Sequence, residues 1–448
     1  MKIFFVSLGC DKNLVDTEFM LGLLSDAGFE FTGDETQAEV IVINTCSFIH
    51  DAKEESINTI LEMAEYKKSG NAKALVVTGC LAQRYQKEIK EQLPEVDAIL
   101  GVNSWGHIVE AIETVWKQKE RSVPEQNIYA CMEDLKQFPE YTGKRMLTKG
   151  THFAYLKIAE GCSKRCTYCA IPYIRGDYRS VPMEHLIGQA EELVQTGVKE
   201  LILVAQETTV YGTDLYGKKT LHVLLRKLSE IPRLRWIRIM YCYPEEIYPE
   251  LIAEIKDNQK ICHYLDLPIQ HVNNEILRNM ARRTTKEELT EKIAVLRKEI
   301  PDIALRTTII CGFPGETGEQ HEELMYFLNE MEFDRLGAFT YSQEEGTPAA
   351  EMPGQVSEEQ KTDWRNDVME LNEEIISDKN ESLIGSTMEV MVEGYISEEN
   401  AYVCRTYRDA PEADGYLFLE TSEVLHTGDF AKVTVTGAYE YDLIGELV

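Results

Sequence analysis

The sequence lacks any apolar run close to the roughly 20 residues that span a bilayer. Its start, Met1 to Gly9, is apolar only briefly and has neither a basic region nor a cleavage site, so it reads as a first strand and not as a signal peptide. Together these absences lead to the expectation of a cytoplasmic chain with no membrane association. Positive charge is also scarce: 46 Lys and Arg stand against 77 Asp and Glu, a formal net charge of −31. Such a surface repels phosphate and attracts basic partners, although acidity that serves only solubility has the same composition. No internal repeat or low-complexity tract interrupts the chain.

Cysteine, by contrast, is plentiful. Eleven is an odd count, and in a compartment that keeps thiols reduced it favours metal ligation or catalysis over disulfides. With 448 residues, 44% of them hydrophobic, the chain has room for roughly three domains with real cores.

The pattern of elements divides the chain. Lys2–Ser7, Val40–Asn44 and Ala74–Thr78 read as short buried strands, with helical patterns near Val15–Ala27, Lys53–Lys68 and Gln83–Gln92. That alternation predicts a parallel sheet with covering helices over residues 1–117. A less regular stretch, 118–147, reads as a linker with some structure of its own. Over 148–378 the alternation resumes with strands at Ala154–Ala159, Leu201–Ala205, Trp236–Met240, His263–Pro268, Ala304–Ile310 and Gly337–Tyr341. Six such units predict a partial or complete α/β barrel, with reactive residues at the C-terminal strand ends. A long polar helix from Glu358 to about Lys379 follows. The remainder, 379–448, shows short strands at Glu389–Glu393, Tyr402–Thr406, Tyr416–Leu419 and Lys432–Thr436, a small all-β domain.

The strongest chemical signal is Gly161-Cys162-Ser163-Lys164-Arg165-Cys166-Thr167-Tyr168-Cys169. Three thiolates at these spacings converge from one loop just after a barrel strand. A closed structural zinc site wants four ligands, whereas a 4Fe–4S cluster on three cysteines leaves one iron open to a small molecule; zinc with a distant fourth ligand is the alternative. Cys10, Cys46 and Cys80 match no compact metal spacing. Each, however, follows the end of a predicted strand, and in an open parallel sheet those ends face one crevice. Three cysteines there suit a second cluster, with Gly9 and Gly79 allowing close backbone approach; three small buried residues would look the same. Cys131, Cys242, Cys262, Cys311 and Cys404 form no set and read as structural. His271, after a barrel strand, has lining and packing roles both open.

The CxxxCxxC loop resembles the radical S-adenosylmethionine superfamily. The resemblance implies an open iron that binds the amino and carboxylate groups of S-adenosyl-L-methionine, and cleavage of that cofactor to a 5′-deoxyadenosyl radical. It implies Tyr168 beside the adenine and Ala205-Gln206-Glu207-Thr208 near the methionine end, with Gln206 as the contact. Arg306, on the fifth barrel strand, is a candidate for the cofactor carboxylate or for substrate, though an ordinary barrel-lining charge is the plainer reading.

Ser7-Leu8-Gly9-Cys10-Asp11-Lys12-Asn13-Leu14-Val15-Asp16, with Cys46, Cys80, the radical loop and a final β domain, resembles the methylthiotransferases over essentially the whole chain. The resemblance implies an N-terminal cluster domain, a radical barrel and a C-terminal TRAM domain. Two 4Fe–4S clusters follow: one on Cys10, Cys46 and Cys80 that carries sulfur and accepts a methyl group, the other on Cys162, Cys166 and Cys169 that generates the radical. Within the family the first-cysteine surround is similar to the RimO branch, which modifies the β-carbon of an aspartate in ribosomal protein S-twelve; that branch commonly has proline where Asp11 stands. Ala410-Pro411-Glu412-Ala413-Asp414-Gly415 resembles the same branch's TRAM signature. From Lys379 onward 4 Lys and Arg stand against 14 Asp and Glu, counted along the sequence, the reverse of a tRNA-binding footprint. Asp409, Glu412 and Asp414 are therefore candidates to meet a basic protein loop. Methylthiolation of a tRNA adenosine is the alternative activity, and an iron–sulfur electron carrier or a nucleic-acid-binding module the alternative class. The sulfur donor and electron donor leave no signature.

Overall fold

The computed structural model describes residues 1–120, 128–137 and 143–448. The rest of the expected linker, 121–127 and 138–142, lies outside the described residues. Nineteen strands are described: β1 Lys2–Ser7, β2 Glu30–Phe31, β3 Val40–Thr45, β4 Ala74–Gly79, β5 Ala98–Leu100, β6 Tyr129–Cys131, β7 Phe153–Lys157, β8 Ala159–Glu160, β9 Arg179–Ser180, β10 Glu200–Val204, β11 Trp236–Ile239, β12 Ile261–Asp266, β13 Ala304–Cys311, β14 Arg335–Thr340, β15 Thr387–Ile396, β16 Ala401–Thr406, β17 Leu417–Leu419, β18 Phe430–Tyr439 and β19 Asp442–Leu447. Among the described residues, no helix is long and apolar enough to cross a membrane.

The N-terminal sheet is parallel, in the order β2-β1-β3-β4-β5-β6. Every residue of β3 and β4 is buried, as continuous β-branched runs demand when helices cover both faces. The sequence reading placed only β1, β3 and β4 in this sheet: β2 and β5 went unassigned, and β6 arises within the expected linker and pairs with β5. The second sheet, β7-β10-β11-β12-β13-β14, is also parallel and open, a partial barrel. Helices Lys286–Glu299 and Gly318–Met331 begin with capping boxes at Thr285 and Thr317, which satisfy orphan backbone N–H groups. β15–β19 close into a small barrel in the order β15-β16-β17-β19-β18. Its last strand, β19, was absent from the sequence reading.

The cores explain how the parts meet. One apolar cluster fills the space between the partial barrel and its outer helices, Leu156, Leu203, Ile239 and Leu265 among its members. A second joins Phe19 and Trp105 of the N-terminal part, Tyr155, Ile202 and Tyr264 of the barrel's inner face, and Met391 and Ala410 of the C-terminal part. The open barrel's inner face is thus covered by both neighbouring domains. Helix Glu358–Ser382 leads out of the barrel and packs on β14 and β18.

Candidate active site

Register brings the first three cysteines together. Ser7 pairs with Asn44, Asn44 with Thr78, and Thr45 with Gly79. Cys46 and Cys80 directly follow β3 and β4, and Cys10 follows β1 after Leu8-Gly9, so all three sit at one level beyond the C-terminal strand ends. Gly9 and Gly79 have φ of +89° and +92°. A Cβ on Gly9 would stand 2.9 Å from the Cβ of Cys46, and one on Gly79 2.3 Å from Asn44 Oδ1; no larger residue lets these turns approach so closely. Asn13 ties the turns by donating from Nδ2 to the Leu8 and Thr45 carbonyls, at 3.1 and 3.0 Å. Cys46 and Cys80 are buried while Cys10 is exposed. Burial, and then the neighbouring Cys80, push the Cys46 thiol up to about 12.

The second triad is local. Cys162 N–H donates to the Gly176 carbonyl (3.1 Å) and Cys169 N–H to that of Cys166 (3.1 Å). Thr167 bridges the loop to the Asn279–Met280 turn, donating Oγ1–H to the Asn279 carbonyl at 2.7 Å. Burial is the main cause that pushes Cys162 up to about 11, and it pushes Cys169 up as well. The phenol of Tyr243 lies 3.8 Å from Cys166 Sγ.

Between the triads lies a buried ionic network. Lys157, at the end of β7, contacts Asp16 and donates to Glu160 (2.7 Å). Arg175 donates to Glu160 at 2.8 Å and lies 3.4 Å from Asp16. Its other nitrogen reaches Asn13 Oδ1 and, at 3.5 Å, Cys80 Sγ. Burial alone would raise the Glu160 carboxyl, but Arg175 and Lys157 hold it well below the usual range. Gln206 Nε2 donates to the same carboxylate at 3.3 Å. Helix Ile171–Ile174, which begins two residues after Cys169, packs Ala170 and Ile174 against Cys80 and Val102.

Of the remaining expected residues, Tyr168 lies beside Cys166, and burial, followed by that thiol, raises its phenol well above the usual range. Gln206 lies two residues past the end of β10, with its Oε1 buried and without a partner among the described residues. Arg306 is held by Asp266 (3.0 Å) and by Asp414 of the C-terminal domain (3.3 Å), so its charge is matched within the protein. His271 is fully buried; its Nδ1 accepts the Asn273 N–H (3.0 Å) and its Nε2 faces Glu316 at 3.3 Å, an orienting and packing role. The expectation that Asp409 and Asp414 meet a basic partner is corrected: Asp409 is paired with Arg335, and Asp414 with Arg306 and the Tyr264 hydroxyl, both inside the domain interface. Glu412 is exposed and paired with Lys149.

Sequence reasoning missed Lys157, Glu160, Arg175, Tyr243 and Arg282. Arg282 stacks its guanidinium 4.3 Å over the Tyr243 ring, and its Nε and Nη1 are buried without partners among the described residues. A buried cation beside the CxxxCxxC loop was the available signal, but burial is not written in the sequence.

The donor sets fit iron–sulfur clusters. Each triad offers three thiols, mostly buried, whose protons a cationic cluster would displace. Among the described residues no three His, Cys, Asp or Glu side chains gather as around a single metal ion; a multi-iron cluster instead needs its ligands spread around a larger body. The orphaned Gln206 Oε1 and Arg282 N–H groups suit a polar small molecule beside the loop triad.

Three family descriptions match: Uncharacterized protein family UPF0004 over residues 2–101, Radical SAM superfamily over 156–328 and TRAM domain over 384–448. The chain is 57% identical over 445 residues to the ribosomal protein uS12 methylthiotransferase RimO of Lachnoclostridium phytofermentans, covering 99% of each chain. It is 49% identical to the protein of the same name from Acetivibrio thermocellus, covering 100% of this chain and 98% of the other. Among solved structures it is similar in fold to the radical S-adenosylmethionine methyltransferase TsrM from Kitasatospora setae with cobalamin and a [4Fe-4S] cluster bound. The TM-score is 0.54 at 14% identity, covering 78% of this chain and 76% of the other.

Proposed function

This chain belongs to the family of ribosomal protein uS12 methylthiotransferases named RimO, and from that premise we propose that it methylthiolates the β-carbon of an aspartate in uS12. The observation that carries the reading is the meeting of two three-cysteine sites across one buried network, with Cys80 and the segment after Cys169 in contact. When bound, a four-iron cluster on each triad together with S-adenosylmethionine supplies the radical and sulfur chemistry. Cys162, Cys166 and Cys169 would hold the radical cluster; Cys10, Cys46 and Cys80 would hold the other. Tyr168, Gln206 and Arg282 would bind and orient the cofactor. Arg306, held between Asp266 and Asp414, would brace the barrel floor beneath it. Lys157, Glu160 and Arg175 fix the separation of the two sites, a gain in proximity. The apolar cluster shared by all three domains excludes water from the reaction space.

Mass spectrometry of uS12 and of tRNA from cells with and without this enzyme tests the substrate. A methylthio mass on the uS12 aspartate that vanishes with the gene is the expected result; loss of a tRNA methylthio adenosine instead overturns the assignment. Reconstituted protein should hold about eight irons as two four-iron clusters. Replacing Cys162, Cys166 and Cys169 by Ala should halve the iron and abolish deoxyadenosine formation. Replacing Cys10, Cys46 and Cys80 should halve the iron, keep cofactor cleavage and lose the product.

A further inference from the structure

Arg175 belongs to the radical loop by sequence, six positions after Cys169, yet its guanidinium points into the other triad. One arm is fixed: Nη1 donates to Glu160 at 2.8 Å, and Lys157 anchors the far oxygen of that carboxylate at 2.7 Å. The other arm, Nη2, donates to Asn13 Oδ1 and approaches Cys80 Sγ at 3.5 Å. Asn13 in turn secures the Leu8 and Thr45 carbonyls that flank Cys10 and Cys46. The residue is 1% exposed, so water does not screen its charge. Arg175 is therefore the one cation seen in contact with a cysteine of the strand-end triad among the described residues.

We propose that Arg175 is a positioning residue for the strand-end cluster that raises its reduction potential through an N–H···S contact and a buried positive charge at Cys80. This rests on the reading that Cys10, Cys46 and Cys80 hold a cluster. Hydrogen bonds to cluster sulfur and net charge near it are levers that set such potentials: both stabilise the more negative, reduced form. The planar fork suits this role because one arm stays locked on Glu160 while the other holds the sulfur. Among the described residues no cation hydrogen-bonds a sulfur of the loop triad: Arg282 lies near Cys166 but stacks on the Tyr243 ring, and the neutral Tyr243 hydroxyl is the group that approaches Cys166 Sγ, at 3.8 Å. The N–H···S contact is thus the difference between the two triads, although both have three cysteines. The competing account is that Arg175 only neutralises Asp16 and Glu160 at a domain interface.

The test uses the full-length chain carrying Cys162→Ala, Cys166→Ala and Cys169→Ala, so that one cluster is left. Its midpoint potential is measured by electron paramagnetic resonance during redox titration, with Arg175 intact, with Arg175→Gln and with Arg175→Lys. Arg175→Gln is expected to lower the reduced-to-oxidised ratio at fixed ambient potential about tenfold, a shift of about 59 mV for one electron. Arg175→Lys, which keeps the charge and loses the fork, is expected to shift less. If Arg175→Gln fails to fold, a lowered potential in Arg175→Lys still supports the proposal. Clusters that titrate at the parent potential in every folded variant overturn it and leave Arg175 as an interface ion pair. A triple-Ala parent that binds no iron overturns the two-cluster reading itself, and this proposal with it.

Discussion

Two buried ionic seams join the barrel's inner face to its neighbours, one at the C-terminal strand ends and one near the strand starts. At the first, Lys157, Glu160 and Arg175 meet Asp16 and Asn13 of the N-terminal domain. At the second, Glu200 accepts from Arg238 (2.8 Å) and from Arg405 of the C-terminal domain (2.5 Å), while Arg335 pairs with Asp409. Both replace water with fixed partners, and both depend on every member being present. Among the described residues only the first has a cation that hydrogen-bonds a cysteine; Cys262 lies beside Arg238 and Arg405 in the second without such a bond. The same structural device thus serves assembly in one place and, in the other, assembly together with the contact to Cys80 on which the proposed role of Arg175 rests.

Removing a charge should separate the two seams. Lys157→Met removes one cation from Asp16 and Glu160 and leaves Arg175 as the cation they share, and breaking a buried network in this way costs about 3–5 kcal/mol. Because Asn13 and Cys80 lean on that network, the iron content after reconstitution should fall by about half, as the strand-end cluster is lost. Glu200→Gln is expected to cost about 3 kcal/mol, since Arg238 and Arg405 lose their shared carboxylate, yet to retain full iron. Chemical denaturation and iron analysis on the same samples check both. Equal iron loss in the two variants would erase the distinction between the seams.

Acid should act on the second seam with a defined sign. Burial raises Glu200, but Arg405 and Arg238 outweigh it and hold the carboxyl below its ordinary value. Asp334 is likewise held down by Arg408 and Lys379 against its burial. Groups depressed on folding contribute stability that is complete above their unfolded values, about 4.3 and 3.9, and is lost as pH falls through the folded ones. Asp414 runs the other way: burial outweighs Arg306 and raises it, so its protonation relieves a cost as pH falls. The contribution of Glu200 and Asp334 to the thermal midpoint should therefore hold steady down to about pH 4.5 and drop below it. In Glu200→Gln the drop should be shallower, which scanning calorimetry across pH reads directly.

What the sequence disclosed follows from the range of each interaction. The loop triad was legible because its ligands lie within eight positions, 162 to 169, in one segment. The strand-end triad was legible only through the ends of β1, β3 and β4, since register, and not spacing, aligns it. The order of three domains was visible in strand periodicity. β2, β5, β6, β9 and β19 were missed: the first four are two or three residues long, too short for a periodic pattern, and β19 follows β18 through a turn at Glu440-Tyr441 too short to break the pattern. The network partners were invisible because they are remote, Arg175 and Asp16 being 159 positions apart. Asp409 and Asp414 were misplaced for the same reason. Composition counts carboxylates without the Arg335 and Arg306 that bury them.

That correction moves the recognition question to acids that stay on the surface. Glu398, Glu399, Glu420 and Glu423 are exposed in the C-terminal domain, and none of them forms an ion pair with another described residue. If these attract a basic ribosomal protein, reversing Glu420 and Glu423 to Lys should raise KM for uS12 and leave the rate of cofactor cleavage without substrate unchanged. Exposed charge pairs contribute about 0–1 kcal/mol each, so two reversals should change KM by about three- to tenfold. The effect belongs to encounter and orientation more than to contact, and it should fade when salt shortens the screening distance to about 8 Å at 0.15 M. Neither seam would be disturbed, so the thermal midpoint should stay within about 1 °C, as is usual for surface changes. Turnover at low and moderate salt is the measurement. A KM that does not move at low salt would leave the domain's contribution in its buried seam, where Arg405, Asp409 and Asp414 already close the barrel.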